Sequence, residues 1–256
     1  MPSAEVVVVA QADDELALGV RQALGRLGGA VAWYRPPELA GLSVHLSEQE
    51  FHVEGRAVRT VLWRVSPEMP LAEGFREDDR AFAAAEVAAT WIAALKTTGI
   101  SAINRFDAEA WYSGLRPQYW RNRLAAAGIA VTAIRVGSHP VPDDWLWSPY
   151  TTGEPCPLPD PKARAVMASA CHRATPLVTS AAVRGRIVGG SRESNVGRAA
   201  ALLDAWGVGL AAIDSDPGGR VHRIRVLPVF DNASVREQVT SDLGRYLYDD
   251  CTARRS

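Results

Sequence analysis

The chain opens on an unbroken β-branched run, Val6-Val7-Val8-Val9, the pattern of a strand buried on both faces. Leu16, Val20, Leu24 and Leu27 then recur at helical spacing, so a helix is predicted from Glu15 to the Gly28-Gly29 stop, with Asp13 or Asp14 as its cap. Val31 to Tyr34 is a second strand, ended by Arg35-Pro36-Pro37. This is a strand-helix-strand opening of a parallel sheet. Ser43 to Leu46 and Glu50 to Glu54 alternate as a hairpin, and Val58 to Val65 is a longer strand. An alanine-rich helix runs from Phe75 to Lys96, and Ser101 to Asn104 is a short strand. Helical pieces at 107–112 and 117–127 lead to a predicted strand over Ile129 to Val136.

From Gly137 to Pro161 the periodicity disappears. Seven prolines fall here, with Trp145, Trp147 and Tyr150, so the segment reads as a loop or linker. A short helix is expected from Lys162 to Cys171. Beyond it, Leu177 to Ser180 and Val183 to Val188 read as strands and Val196 to Trp206 as an amphipathic helix with Asn195 as candidate cap. Gly209 to Ile213 and Val221 to Val229 are predicted strands joined by the turn Asp216-Pro217-Gly218-Gly219, and Val235 to Leu247 is a closing helix. The expected organisation is an α/β domain over 1–136, a Pro/Trp-rich linker over 137–161 and a smaller α+β domain over 162–256.

Composition narrows the function classes. Lys plus Arg number 28 against 29 Asp plus Glu, a net charge of -1, and 47% of residues are hydrophobic. Nucleic-acid binding needs clustered positive charge, so no such partner is expected. No apolar run approaches the roughly 20 residues of a membrane span. Met1 to Glu5 lacks a basic and apolar leader, and Cys156, Cys171 and Cys251 are far apart and odd in number. A cytoplasmic protein without a disulfide framework is the expectation. The five histidines are scattered, with no metal-ligand spacing, and Cys171-His172 are too close to converge on one ion. Gly189-Gly190-Ser191 after a strand is a turn or a phosphate approach.

The order of motifs carries more than any one of them. Val61-Leu62-Trp63-Arg64, then Phe82-Ala83-Ala84-Ala85-Glu86, then Ile103-Asn104, then Arg116-Pro117 and Leu124 to Val131 resembles the N-terminal half of ATP-grasp ligases. Within that family the pattern is most similar to the maturases that macrocyclise ribosomal peptides (graspetide or microviridin type). The resemblance implies a pre-ATP-grasp-like parallel-sheet domain followed by a reduced α+β ATP-grasp-like domain. Val183 to Gly189 resembles the family strand whose arginine contacts a phosphate or acyl phosphate, so Arg184 or Arg186 inherits that role. Leu202 to Asp214 and Val221 to Pro228 resemble the acidic strand and the Mg²⁺-binding strand, with Asp214 as the acidic residue. Arg116 falls near the family lysine that binds nucleotide.

The departures fall on the cofactor ligands. Where the family pattern has a Glu and an Asn for Mg²⁺, this chain has Arg225 and Leu227, and neither offers an acceptor. The nucleotide-clamping lobe is expected to be shortened, and its one lysine, Lys162, has no strand pattern around it. Two readings of Arg225 stay open. Arg225, Arg223 and Arg186 form an anion-binding patch in place of the metal, or Arg223 and Arg225 are the solvent face of a half-buried strand. The first functional reading is therefore an inactive ATP-grasp-like protein that binds a peptide or partner enzyme in peptide or natural-product maturation, with no cofactor. The second is a divergent carboxylate–amine ligase using ATP and Mg²⁺, or a repurposed enzyme, with Arg64, Glu86 and Asn104 as retained residues, although a structural salt bridge between Arg64 and Glu86 is the favoured reading of that pair. A third is an α/β protein with a ligand at its strand ends. A homodimer is implied by the family alone.

Overall fold

The structure is a computed structural model that describes residues 5–47, 50–97, 99–113, 115–133, 135–137, 148–149, 167–169 and 175–253. Its elements in chain order are β1 (Glu5–Val9), α1 (Glu15–Arg26), β2 (Val31–Tyr34), a 3₁₀ turn (Pro36–Gly41), β3 (Val44–Leu46), β4 (Phe51–Val53), β5 (Arg56–Trp63), α2 (Glu77–Thr97), β6 (Ser101–Ile103), α3 (Ala108–Tyr112) and α4 (Pro117–Ala126). There follow β7 (Arg135–Gly137), β8 (Ser148–Pro149), β9 (Met167–Ser169), β10 (Val178–Val183), β11 (Arg186–Gly189), α5 (Ser194–Ala205), β12 (Leu210–Ser215), β13 (Val221–Arg225) and α6 (Ala233–Ala253). The fold class is mixed α/β, as the sequence pattern predicts. No helix among the described residues is long and apolar enough to cross a membrane.

Contacts divide the chain into two compact units that differ from the spans drawn on the sequence. The first holds residues 1–108, 206–209 and 229–256, and the second holds 109–205 and 210–228. The C-terminal helix α6 thus belongs with the N-terminal sheet. Local patterning identifies α6 as a helix but says nothing of which sheet it covers.

In the first unit, β1 pairs in parallel with β2 and β5, and β5 pairs in parallel with β6. The antiparallel hairpin β3–β4 extends the sheet from β5. Val6 to Val9 are all buried, which explains why β1 is continuously apolar rather than alternating. Asp14 caps α1 by accepting from the Ala17 N–H at 3.0 Å. Trp91 of α2 stacks on Trp63 and meets Phe51 edge-on, with ring centroids 5.6 and 5.7 Å apart. Helix α6 packs along α1 at very close range. A Cβ on Gly19 would lie 2.7 Å from Thr240 Cγ2, and one on Gly244 would lie 2.6 Å from Ala23 Cβ. Those glycines fit because two helix backbones approach there.

In the second unit the antiparallel sheet has the order β11-β10-β12-β13, and every residue of β12 is buried. Helix α4 packs on β13 and α5. The chain leaving α4 then lies beside β13, with Val131 opposite Val221. Among the described residues, this bridge and the strand Arg135–Gly137 stand where the sequence predicts one strand over 129–136, and the two pair with different partners, Val221 and β9. Asn195 does not cap α5 from outside. The helix starts at Ser194, and the Asn195 side chain bonds the backbone of Ala130 and Gly219 instead.

The proline-rich stretch lies mostly outside the described residues. Its described pieces, Gly137 (the end of β7) and β8, join β9 beyond it in a small antiparallel sheet of order β7-β9-β8. Met167–Ser169 is therefore a strand and not part of the predicted helix; the rest of 162–171 lies outside the described residues, as do Lys162, Cys156 and Cys171.

Candidate functional site

Strand register places the candidate residues of the second unit. Asp214 on β12 lies opposite Thr179 of β10 on one side and Arg223 of β13 on the other. Arg225 lies opposite Ala212, two residues along, so its side chain returns to the same sheet face as Asp214. The Asp214 carboxylate is buried. Its Oδ2 accepts from Arg223 Nε at 2.7 Å. Its Oδ1 accepts from the Thr179 hydroxyl at 2.7 Å and from Arg225 Nη2 at 3.3 Å. Burial by itself raises the Asp214 carboxyl. The Arg223 and Arg225 charges outweigh that, helped by hydrogen bonds from Thr179 and Arg223, and hold it below the ordinary carboxylate value. Both guanidinium side chains remain about a quarter exposed, at 25% and 24%. One buried carboxylate thus serves two partly exposed cations.

Thr179 is the member that sequence reasoning missed. Thr179 and Asp214 are 35 residues apart, and only the β10–β12 register brings them together. The alternation of Arg223 and Arg225 with buried Ile224 does match the half-buried strand read from the sequence.

Arg186 does not join this cluster. It lies on β11, at the edge of the sheet opposite to β13. Three strand spacings, about 14 Å, separate the two strands. The proposed patch of Arg186 with Arg223 and Arg225 is thus not assembled. Arg184 is displaced from its expected strand as well. The chain turns at Arg184-Gly185, both left-handed at φ 47° and 72°, to form a two-residue hairpin between β10 and β11. Arg184 Nη1 then bonds Asp204 of α5 at 3.0 Å and ties the hairpin to the helix. Arg116 is the N-cap residue of α4, where its side chain makes no capping bond. Gly190 lies against the unit's own sheet, not an open loop. At φ 105°, it approaches Ser180 so closely that a Cβ would stand 2.6 Å from Ser180 Cα, and Ser191 N donates to Ser180 Oγ.

Arg64, Glu86 and Asn104 also separate. Arg64 is 5% exposed and donates from Nε to Asp14 Oδ2 at 2.8 Å, so its partner is the cap of α1 and not Glu86, which is exposed. Asn104 ends β6 in a left-handed conformation, φ 66°, with Nδ2 donating to the Trp63 carbonyl. Asp14, Arg64 and Asn104 collect at the carboxyl ends of the parallel strands in the first unit.

The resemblance implies Mg²⁺ at the acidic strand, and the Asp214 cluster tests it. Mg²⁺ requires near-octahedral oxygen ligation. Here both Asp214 oxygens already accept from cations or a hydroxyl, and Arg225 brings a positive charge with no acceptor to the neighbouring position. This cluster does not fit a Mg²⁺ ion. Among the described residues no group of three or more His, Cys, Asp and Glu side chains converges for a metal.

A mixed parallel sheet followed by a four-stranded antiparallel sheet with flanking helices is the fold of ATP-grasp ligases. Two structures of the ATP-grasp ligase PsnB match at TM-scores of 0.69 and 0.67. One, complexed with a precursor peptide and AMPPNP, is 15% identical and covers 98% of each chain. The other, with a phosphomimetic variant of minimal precursor, Mg and ADP, is 17% identical and covers 100% of each chain. The macrocyclase MdnC from Microcystis aeruginosa MRC, bound with precursor peptide MdnA, matches at a TM-score of 0.65, 11% identity, 95% of this chain and 99% of that one. No family model matches the sequence, and no curated protein does.

Proposed function

We propose that the protein is an ATP-grasp-fold peptide-binding protein that works without Mg²⁺-dependent ligase chemistry, as an accessory in peptide or natural-product maturation. The observation that carries this reading is the arginine clamp on Asp214. A carboxylate held by Arg223, Arg225 and Thr179 is engaged as a structural anion, while the quarter-exposed guanidinium groups offer donors to a carboxylate on a bound acidic peptide. Solved structures of the same fold are complexed with precursor peptides, which supports a peptide as the partner. A cytoplasmic homodimer belongs to the same reading, and sedimentation equilibrium checks the assembly state.

Calorimetric titration with ATP, with and without Mg²⁺, tests the proposal. Weak or absent heat in both arms is expected. Mg²⁺-dependent ATP binding near micromolar overturns it.

The second reading, a divergent carboxylate–amine ligase, draws on the alignment that runs end to end along PsnB. It predicts that ATP, Mg²⁺ and an acidic peptide encoded beside this gene yield product lighter by one water per bond formed. Unchanged peptide mass counts against it.

A further inference from the structure

Helix α4 buries a cation for which the described residues around it bring no free counter-charge. Arg121 is 6% exposed and Gln118, one turn earlier on the same face, is 8% exposed. Arg121 Nε and Gln118 Oε1 are both buried and without a hydrogen-bond partner. An arginine stays charged at neutral pH, and burying an unpaired charge is strongly unfavourable. The residues one turn away on α4 are Pro117, Gln118, Leu124 and Ala125, none of them acidic. Helix α4 packs on β13 and α5. Strand β13 reads Val-His-Arg-Ile-Arg and brings no carboxylate. Helix α5 brings one, Asp204, and Arg184 takes it. Among the described residues of these elements, ion pairing therefore leaves Arg121 over.

We infer that Arg121 and Gln118 form a buried subsite for the phosphate group of a small molecule. A phosphate oxygen accepts from the guanidinium, and a protonated phosphate oxygen donates to the Gln118 amide oxygen. The phosphate monoanion carries one donor beside its acceptors, so that form satisfies both atoms; an ionised carboxylate offers only acceptors. Leu124, one turn after Arg121, is fully buried, and low-dielectric surroundings strengthen the attraction of the pair for an anion. This site is independent of the Asp214 cluster and of whether the protein is a ligase.

The probe is inorganic phosphate, titrated at constant ionic strength against sodium chloride and against succinate. At about tenfold over Kd, the melting temperature of the wild-type protein is expected to rise by about 3–6 °C, more than with either control. Gln118→Glu tests the site from inside. It places a carboxylate at i,i+3 from Arg121, so it is expected to melt higher than wild type in phosphate-free buffer and to lose the phosphate response. Arg121→Met is expected to lose the response too. Phosphorus NMR line broadening of phosphate by wild type, absent with Gln118→Glu, reads the same event without melting. No phosphate-specific shift in the wild type, or an equal shift in Gln118→Glu, overturns the inference.

Discussion

Each unit holds an aspartate beside arginine, and the two arrangements differ in balance. In the first, Asp14 and Arg64 pair one to one at 2.8 Å, with side chains 13% and 5% exposed. Asp14 also caps α1, so one carboxylate ends a helix and neutralises a strand end. In the second, one buried Asp214 carboxylate faces two arginines that are each about a quarter open to solvent. The first pair is one to one and enclosed, so it serves the scaffold, although Arg64 Nη1 stays buried without a hydrogen-bond partner among the described residues. The second cluster keeps its carboxylate buried and presents its two cations partly to solvent. Burial of the carboxylate and exposure of the cations, rather than the residue types, make the difference.

The comparison can be broken most easily at Asp14. Asp14→Ala removes the cap and strands Arg64 as a buried charge, so a loss of about 3–5 kcal/mol is expected in urea denaturation. Asp214→Asn keeps the shape but leaves two arginines facing a neutral amide, both able to reach water, so about 2–3 kcal/mol is expected from the same measurement. If the two losses come in reverse order, the distinction between scaffold pair and open cluster fails.

Acid titration sharpens the same point. Asp214 has a folded pKa below its unfolded value. Its contribution is thus full above the unfolded value, near pH 4, and fades as pH falls through the folded one. Melting temperature measured from pH 6 downward should drop less steeply in Asp214→Asn than in wild type over that acid window. A parallel decline places the acid sensitivity elsewhere.

The smallest effect is expected at Arg184. Its pair with Asp204 is 33% and 25% exposed, so Arg184→Ala should cost under about 1 kcal/mol. A loss as large as that of Asp214→Asn would show that partial exposure does not set the scale.

The local reading of the sequence was good where short-range chemistry decides. The β-branched run predicts β1, the four-residue leucine and valine spacing predicts α1, and Asp216-Pro217-Gly218-Gly219 predicts the turn between β12 and β13. In the structure Gly219 N donates to the Asp216 carbonyl and Arg220 N to Asp216 Oδ1, an interaction contained within five residues. Asp214, Arg223 and Arg225 were also legible, because they stand out against an apolar strand pattern and a metal-binding motif. Arg184 and Arg186 misled because a hairpin turn of Arg184-Gly185 and a strand continuing through them have the same apolar flanks.

What the sequence by itself determined about this protein is its succession of strands, helices and turns, since hydrophobic period, capping and turn propensity act over a few residues. The tertiary structure decided which charges meet. Register set Thr179 beside Asp214 and held Arg186 three strands away. Packing gave Arg64 to Asp14 rather than Glu86, placed α6 on α1, and left Arg121 buried with no carboxylate partner among the described residues. Those outcomes depend on contacts between residues tens to hundreds of positions apart, and charge pairing has no period from which a linear pattern can read it.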